Sequence, residues 1–281
     1  MIDYVFADGT ALVTGAASGI GEALAHGLAG RGSHLLLLDR SEDRLSAVAE
    51  EVRRQHPLLR VDTVIADLGD HDATIALGRR LADEHPELTL VINNAGVALA
   101  GSFTDLTLDE FDWLMEINFR AVLTLTHALV PVLLQNPGSH LVNVSSVFGL
   151  IAPPEQTAYV TSKFAVRGLT ESLRAELLGR VGVTCVHPGG IATRIAIDAR
   201  VGQGADAAEV ERGLSTISGL LRIPASVAAD SILNGVRRRR PRVLIGLTAR
   251  LPDLLARVAP ASYGRVLAAV LRAGRRHVKK A

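Results

Sequence analysis

Seven short apolar runs, separated by stretches of helical period, constrain this 281-residue chain more than any other feature. They occupy residues 11–13, 35–38, 61–65, 88–92, 140–144, 183–186 and 242–245, while helical patterns open near Gly19 and over 42–55. Their apolar residues are consecutive rather than alternating, which suits strands covered on both faces. Strands of that kind joined by helical crossovers make a parallel sheet with helices on each side. The expected fold is therefore α/β, a doubly wound, Rossmann-like parallel sheet. Length alone would allow two domains, but the unbroken rhythm favours one domain over residues 1–246. Within it, 191–223 has weak periodicity and several glycines, and reads either as a loop or lid over a substrate or as an ordinary surface excursion.

With 48% hydrophobic and 21% charged residues the chain can build a large core, which excludes disorder as its main state. The single cysteine, Cys185, excludes a disulfide scaffold and reads as strand core. No run approaches the roughly 20 apolar residues that span a bilayer, and residues 1–10 have neither the basic nor the apolar part of a signal peptide. The expected location is the cytoplasm. The net charge of +1 hides an asymmetry, because residues 237–281 hold 13 Lys or Arg against Asp253 alone. That segment carries +12 and the preceding body −11.

Directly after the first run comes Thr14-Gly15-Ala16-Ala17-Ser18-Gly19-Ile20-Gly21. Gly15 suits a tight turn, Gly19 a close approach of backbone to a pyrophosphate, and Gly21 close packing of helix on strand, with the helix N-terminus facing the negative charge. A dinucleotide is the ligand this implies. Eighteen residues after Gly21, Asp39 ends the second strand, where an acid accepts hydrogen bonds from the adenosine ribose. A carboxylate there repels a 2′-phosphate and favours NAD over NADP, but Arg40 follows at once and would attract that phosphate. Asp67-Leu68 can flank an adenine, and Asn93-Asn94-Ala95-Gly96 returns the chain beside the cofactor.

After the fifth strand come Ser145 and Ser146, and thirteen residues beyond Ser146 stands Tyr159, followed at i+4 by Lys163. On a helix the pair shares one face, so an ammonium would lower the phenol's pKa from about 10 toward neutrality. Nine histidines show no metal-ligand spacing, and one cysteine builds no thiolate site, so no metal is expected. His187 reads as a support for backbone.

These segments resemble the classical short-chain dehydrogenase/reductase family over about residues 8–246. The form T-G-x-x-x-G-x-G matches Thr14 to Gly21, N-N-A-G matches Asn93 to Gly96, and Y-x-x-x-K matches Tyr159 to Lys163. The resemblance implies hydride transfer between nicotinamide C4 and a secondary alcohol or ketone. Ser146 would polarise the substrate oxygen, Tyr159 would act as acid or base, and Lys163 would hold the ribose hydroxyls and tune Tyr159. Ser145 is the rival, but the thirteen-residue interval favours Ser146. Asn118 matches the family's relay-water asparagine, with a helix-kink Asn as its alternative. Pro188-Gly189-Gly190-Ile191-Ala192-Thr193 resembles the P-G-x-x-x-T loop that meets the carboxamide through Ile191 and Thr193. The cofactor set implied is Gly15, Ser18, Gly19, Ile20 and Gly21; Asp39, Arg40, Asp67 and Leu68; Asn94, Ala95 and Gly96; Tyr159 and Lys163; and Pro188, Gly189, Ile191 and Thr193.

Phe148, Leu150, Ile151, Pro153 and Pro154, with the apolar 191–197 segment, suggest an apolar pocket and an apolar alcohol or ketone as substrate. The resemblance further implies a homotetramer or dimer through helices near 114–134 and 159–178. Beyond Gly246, residues 247–281 read as a basic amphipathic helical extension, with Arg250, Arg257, Arg265 and Arg272 on one stripe. Two readings stand open for it, a membrane interface or packing on the body or a neighbouring subunit. The Arg237 to Arg240 run reads as a solvated helix end, and no nucleic-acid partner is expected because aromatics and basic residues do not interleave. The remaining alternative is a catalytically silent nucleotide-binding or sensing protein.

Overall fold

The fold is described from a computed structural model covering residues 3–206 and 221–265. Seven strands form one parallel sheet: β1 (Thr10–Thr14), β2 (His34–Asp39), β3 (Val61–Ile65), β4 (Leu88–Asn93), β6 (His140–Val144), β7 (Gly182–Pro188) and β9 (Arg242–Ile245). Their order is β3-β2-β1-β4-β6-β7-β9. A two-stranded parallel ladder pairs β5 (Leu99–Ala100) with β8 (Arg200–Val201) outside it.

The consecutive apolar runs are explained by where alternate residues go. Ala11, Val13, Leu35 and Leu37 enter a core on one face, with Leu24 and Leu28 of α1 (Gly19–Ala29) and Ile232 and Val236 of α7 (Ala225–Arg237). Leu12, Leu36 and Leu38 enter a second core on the opposite face, with Leu81 of α3 (His71–Glu84) and Leu125 and Leu129 of α5 (Ala121–Gln135). Strands β1 and β2 therefore each feed two cores, which is the doubly wound architecture expected. The edge strand β3 differs, with Asp62, Thr63 and Ile65 exposed.

Helix α2 (Glu42–Gln55) follows β2 with the expected limits. Helix α4 (Leu108–Met115) opens with a capping box in which Thr107 and Glu110 satisfy each other's backbone amides. It runs through a π-helical turn at Glu116–Arg120 into α5, giving a 28-residue helix apolar enough to span a bilayer by composition, yet half buried in this fold. Helix α6 (Thr157–Glu176) carries the Tyr-Lys pair, and α8 (Leu247–Val258) follows β9. Between β1 and β4 the chain order reverses, which opens a crevice at the strand C-terminal ends.

The 191–223 excursion has a neck and one stitched flank. Ile191 bridges Ile223, and the amide of Ala192 donates to the Ile223 carbonyl at 2.8 Å. Gly202 donates to Ala100 at 2.8 Å and Gln203 to the Glu110 carboxylate at 3.0 Å, while the Arg200 guanidinium stacks 3.7 Å from the centroid of Trp113. Residues 207–220 of the excursion lie outside the described residues, as do 266–281 of the extension, including Arg272.

Candidate active site

The turn after β1 is held to the turn after β4 by short polar side chains. Thr14 Oγ1 accepts from the amides of Asn94 and Ala95, both at 3.0 Å, and Asn94 Nδ2 donates to the Thr14 carbonyl at 3.0 Å. That closeness requires glycine. Gly15 has φ +68, and a Cβ there would lie 2.8 Å from Ala95 Cα. At Gly21 a Cβ would stand 1.9 Å from the Gly15 carbonyl oxygen, so the start of α1 packs directly on the turn. Ser18 precedes α1 without capping it through its side chain, leaving the first amides of the helix to face the groove.

Asp39 closes the end of the groove beside the glycine turn. Its carboxylate accepts from Ala17 N at 3.1 Å and Ser41 N at 3.0 Å, so it ties the glycine turn to the end of β2. Arg40 is exposed, and Arg44, which the sequence reading did not select, lies beside it on the groove wall. Its signal was present as a second arginine at i+4 from Arg40. From the excursion, Asp198 faces both; its carboxyl is held below the usual range chiefly by its hydrogen bond to Arg194, with Arg44 and Arg40 adding to this.

The cleft of about 280 Å³ brings together Gly15, Ser18, Gly19 and Ile20 with Asp39, Asp67 and Leu68. It continues along Asn94, Ala95 and Gly96 to Ser146, Tyr159 and Lys163, and is closed by Pro188, Gly189, Ile191 and Thr193. Two selected residues stand behind the wall. Gly21 acts through packing, and Asn118 is fully buried in the π-helical turn. Asn118 Oδ1 accepts from Val97 N at 2.8 Å, and its Nδ2 donates to the Val97 carbonyl at 3.0 Å and to Ser162 Oγ at 3.3 Å. The carboxamide thus braces the segment after β4 from within an irregular helical turn. Behind β4 and β6, Asn93 Nδ2 donates to Asn143 Oδ1 at 2.8 Å, and Asn143 to Thr170 at 3.0 Å. This buried polar ladder fixes α6 against the sheet, and only Asn93 of it was visible as part of a motif.

The two serines diverge. Ser145 Oγ donates to the Lys163 carbonyl at 2.8 Å, which spends it on holding α6. Ser146 Oγ accepts from Phe148 N at 3.1 Å and meets the Tyr159 phenol. His187, fully buried on β7, sits against the Ser146 carbonyl through Nδ1 at 3.0 Å, the backbone support expected of it. Burial holds its imidazole down to about 4, so the ring is neutral and donates from Nδ1.

Lys163 Nζ reaches the Val144 carbonyl at 3.3 Å and lies 5.6 Å from the centroid of the Tyr159 ring. Burial holds this amine down to about 8 and pushes the phenol up to about 12, with Ser146 pulling the phenol the other way. The expected lowering of Tyr159 by Lys163 is therefore reversed in the protein alone. Desolvation is the largest cause at both groups and disfavours the charged form of each.

Leu150 and Ile151 also depart from the expected pocket lining, because both are buried in the fold and neither lines the cleft. Phe148, Pro153 and Pro154 do not line it either, Phe148 standing edge-on to Tyr159 at 6.1 Å. The apolar wall comes from Val97, Ala98 and Leu221 together with Ile191 and Ile195 of the expected 191–197 segment. Cys185 is buried strand core, its thiol pushed up to about 12 by burial. Among the described residues no group of His, Cys, Asp and Glu could hold a metal.

Residues 9–203 match the family model described as short chain dehydrogenase. A Mycobacterium tuberculosis protein named as an oxidoreductase, SadH, is 37% identical over 266 residues, covering 92% of this chain and 94% of its own. Dehydrogenase/reductase SDR family member 7B of Xenopus laevis is 32% identical, covering 92% and 80%. Among solved structures, a short-chain dehydrogenase/reductase from Burkholderia phymatum in complex with NAD superposes with TM-score 0.81 at 27% identity, covering 91% and 95%. One from Sphingobium yanoikuyae in complex with NADPH gives 0.72 at 29%, covering 90% and 95%.

Proposed function

This chain belongs to the short-chain dehydrogenase family of oxidoreductases, and from that premise we propose that it interconverts an apolar secondary alcohol and its ketone with NAD. The carrying observation is the convergence of Ser146, Tyr159 and Lys163 on the cleft that begins at the glycine turn. The cofactor fits the residues present: the uncapped start of α1 suits the pyrophosphate, Asp39 the ribose, and the space beside Gly96, where a Cβ would meet Asn118 Oδ1 and Lys163 Nζ at 3.2 Å, suits close approach. When bound, NAD supplies or accepts the hydride at C4 of its nicotinamide.

In the reducing direction Tyr159 Oη gives its proton to the substrate oxygen while Ser146 Oγ holds that oxygen in place. A phenol near 12 is protonated across the physiological range, the form this direction requires. Lys163, near 8, retains a proton at neutral pH and can return one to the phenol side of the site. In oxidation the same groups run in reverse.

Asp39 supports NAD because two backbone amides pin its carboxylate where a 2′-phosphate would meet it, whereas Arg40 is exposed and Arg44 is engaged with Ser41. Fluorescence titration tests this directly. NADH is expected to bind more tightly than NADPH, and Asp39→Asn to shift the ratio about tenfold toward NADPH. NADPH preference in the unsubstituted protein would assign the arginines the deciding role. Binding of neither by folded protein would favour a silent family member.

Val97, Ala98, Ile195 and Leu221 support an apolar substrate. Equal turnover of apolar secondary alcohols and small polyols would overturn that part. Leu134 of α5 and Phe164 of α6, both part-exposed, support a homodimer or homotetramer through those helices, which light scattering tests. The buried free thiol of Cys185 suits a reducing compartment, and a cytoplasmic location is part of the same proposal, to be tested by cell fractionation.

A further inference from the structure

Helix α8 has two unlike faces. On one, Ala249 is fully buried, Thr248 Oγ1 accepts from Gly190 N at 3.0 Å, and Asp253 pairs with Arg242 and Arg257. On the other, Leu247, Leu251, Leu254 and Val258 are 68%, 63%, 58% and 76% exposed. At about 100° per residue these four fall within about 60° of arc, while Arg250 and Arg257 fall together along one border of the stripe. A single exposed leucine is ordinary, but four in one line are not.

We propose that this stripe docks the protein on an anionic lipid surface, with the arginines meeting the headgroups and the four aliphatic side chains entering the interface. The charge distribution selects this occupant. The stripe lies in the segment of net +12, whose lone acid, Asp253, is already paired with two arginines. A second copy seated on the same face would bring two patches of the same positive sign together, because a two-fold contact joins the same surface of each subunit. An anionic surface complements that segment and repels the body of net −11, so it both attracts the molecule and orients it.

Docking here places lipid beside the active site. Thr248 holds Gly190 of the loop after β7, and beyond α8 the Tyr263 hydroxyl accepts from Ala152 N at 3.2 Å, ahead of Tyr159. If the substrate is apolar, a point that rests on the function proposed above, it reaches the cleft from the bilayer. The docking itself does not depend on that substrate.

Co-sedimentation of the full chain with phosphatidylcholine vesicles, with and without 30% phosphatidylserine, tests the proposal. The expected result is binding to the serine-containing vesicles that weakens with salt, and little binding to phosphatidylcholine alone. The exposed-site variant Leu251→Glu/Leu254→Glu should lose about tenfold or more in vesicle affinity, while NADH titration confirms that it remains folded. Arg250→Glu should lose less. Three outcomes would overturn it: no binding of the full chain to either vesicle, vesicle binding unchanged in the double variant, or a dimer that the double variant breaks without any vesicle binding. Because the readout is sedimentation, failure here is distinct from failure to turn over an apolar alcohol.

Discussion

The two halves of the cleft are built from different materials. Around β1, β2 and β4 the wall is backbone held by glycines and short side chains, with Thr14, Asn94 and Asp39 each bonding main-chain groups across the crevice. Around β6, β7 and β9 it is built of side chains, with Ser146 from the turn after β6 and Tyr159 and Lys163 from α6 lining the cleft, while Thr248 of α8 holds the Gly190 amide. A phosphate-bearing ligand is recognised through backbone amides and therefore requires close approach, which leaves little freedom in sequence. A reacting oxygen needs donors and acceptors at set positions, which side chains supply from any element brought near enough.

Four measurements would break or sharpen that contrast. In the side-chain half, Tyr159→Phe removes only the phenolic hydroxyl, so kcat should fall about 10³-fold while NADH affinity stays close to that of the parent; retention of a tenth of the activity would move the acid elsewhere. In the backbone half, Gly21→Ala drives a Cβ to 1.9 Å from the Gly15 carbonyl and should cost about 3 kcal/mol in urea unfolding, with loss of NADH binding. A variant that binds NADH normally would mean the turn can yield, and the contrast would fail.

A pH series comes next. Burial holds His140 and His187 down to about 3 and about 4. The unfolded chain takes up these protons near 6.5, so below that pH it binds more protons than the fold. Stability contributed by each neutral ring is present above about 6.5 and is lost as pH falls toward 4, by roughly 2 kcal/mol per ring. Urea unfolding at pH 7 and 4.5 checks this, and His187→Asn, which keeps a donor near the Ser146 carbonyl, should show a smaller acid loss. Smallest of the four, Thr248→Val leaves Gly190 N to water at the surface and should cost about 1 kcal/mol or less. A larger loss would show that α8 is as integral to the site as the glycine turn.

Much of this was legible because its signals are local. The strand limits 61–65, 140–144 and 242–245 and helix 42–55 were readable from period alone, and Tyr159 and Lys163 share a helix face at i and i+4. Asn118 shows where local reading runs short. It occupies an irregular helical turn, as its helix-kink reading has it, and its side chain braces Val97 beside the site, a contact that no local pattern displays. Arg44 and Asp198 are 154 residues apart and meet only because the excursion returns over the groove. The β5–β8 ladder, two residues on each side, carries too little pattern to see.

The alternation of the seven main strands with helices, the glycine turn and the shared helix face of Tyr159 and Lys163 followed from the sequence by itself, because each depends on spacing along a single element or its immediate successor. What Ser145 holds instead, which way burial moves Tyr159 and Lys163, and which face of α8 is left to the outside were decided only by the tertiary structure. The reason is physical: hydrogen-bond direction, desolvation and exposure are set by what packs from other parts of the chain. Ser145 and Ser146 differ by one position in sequence and lead to different partners, the Lys163 carbonyl and the Tyr159 phenol, because α6 lies across the end of β6.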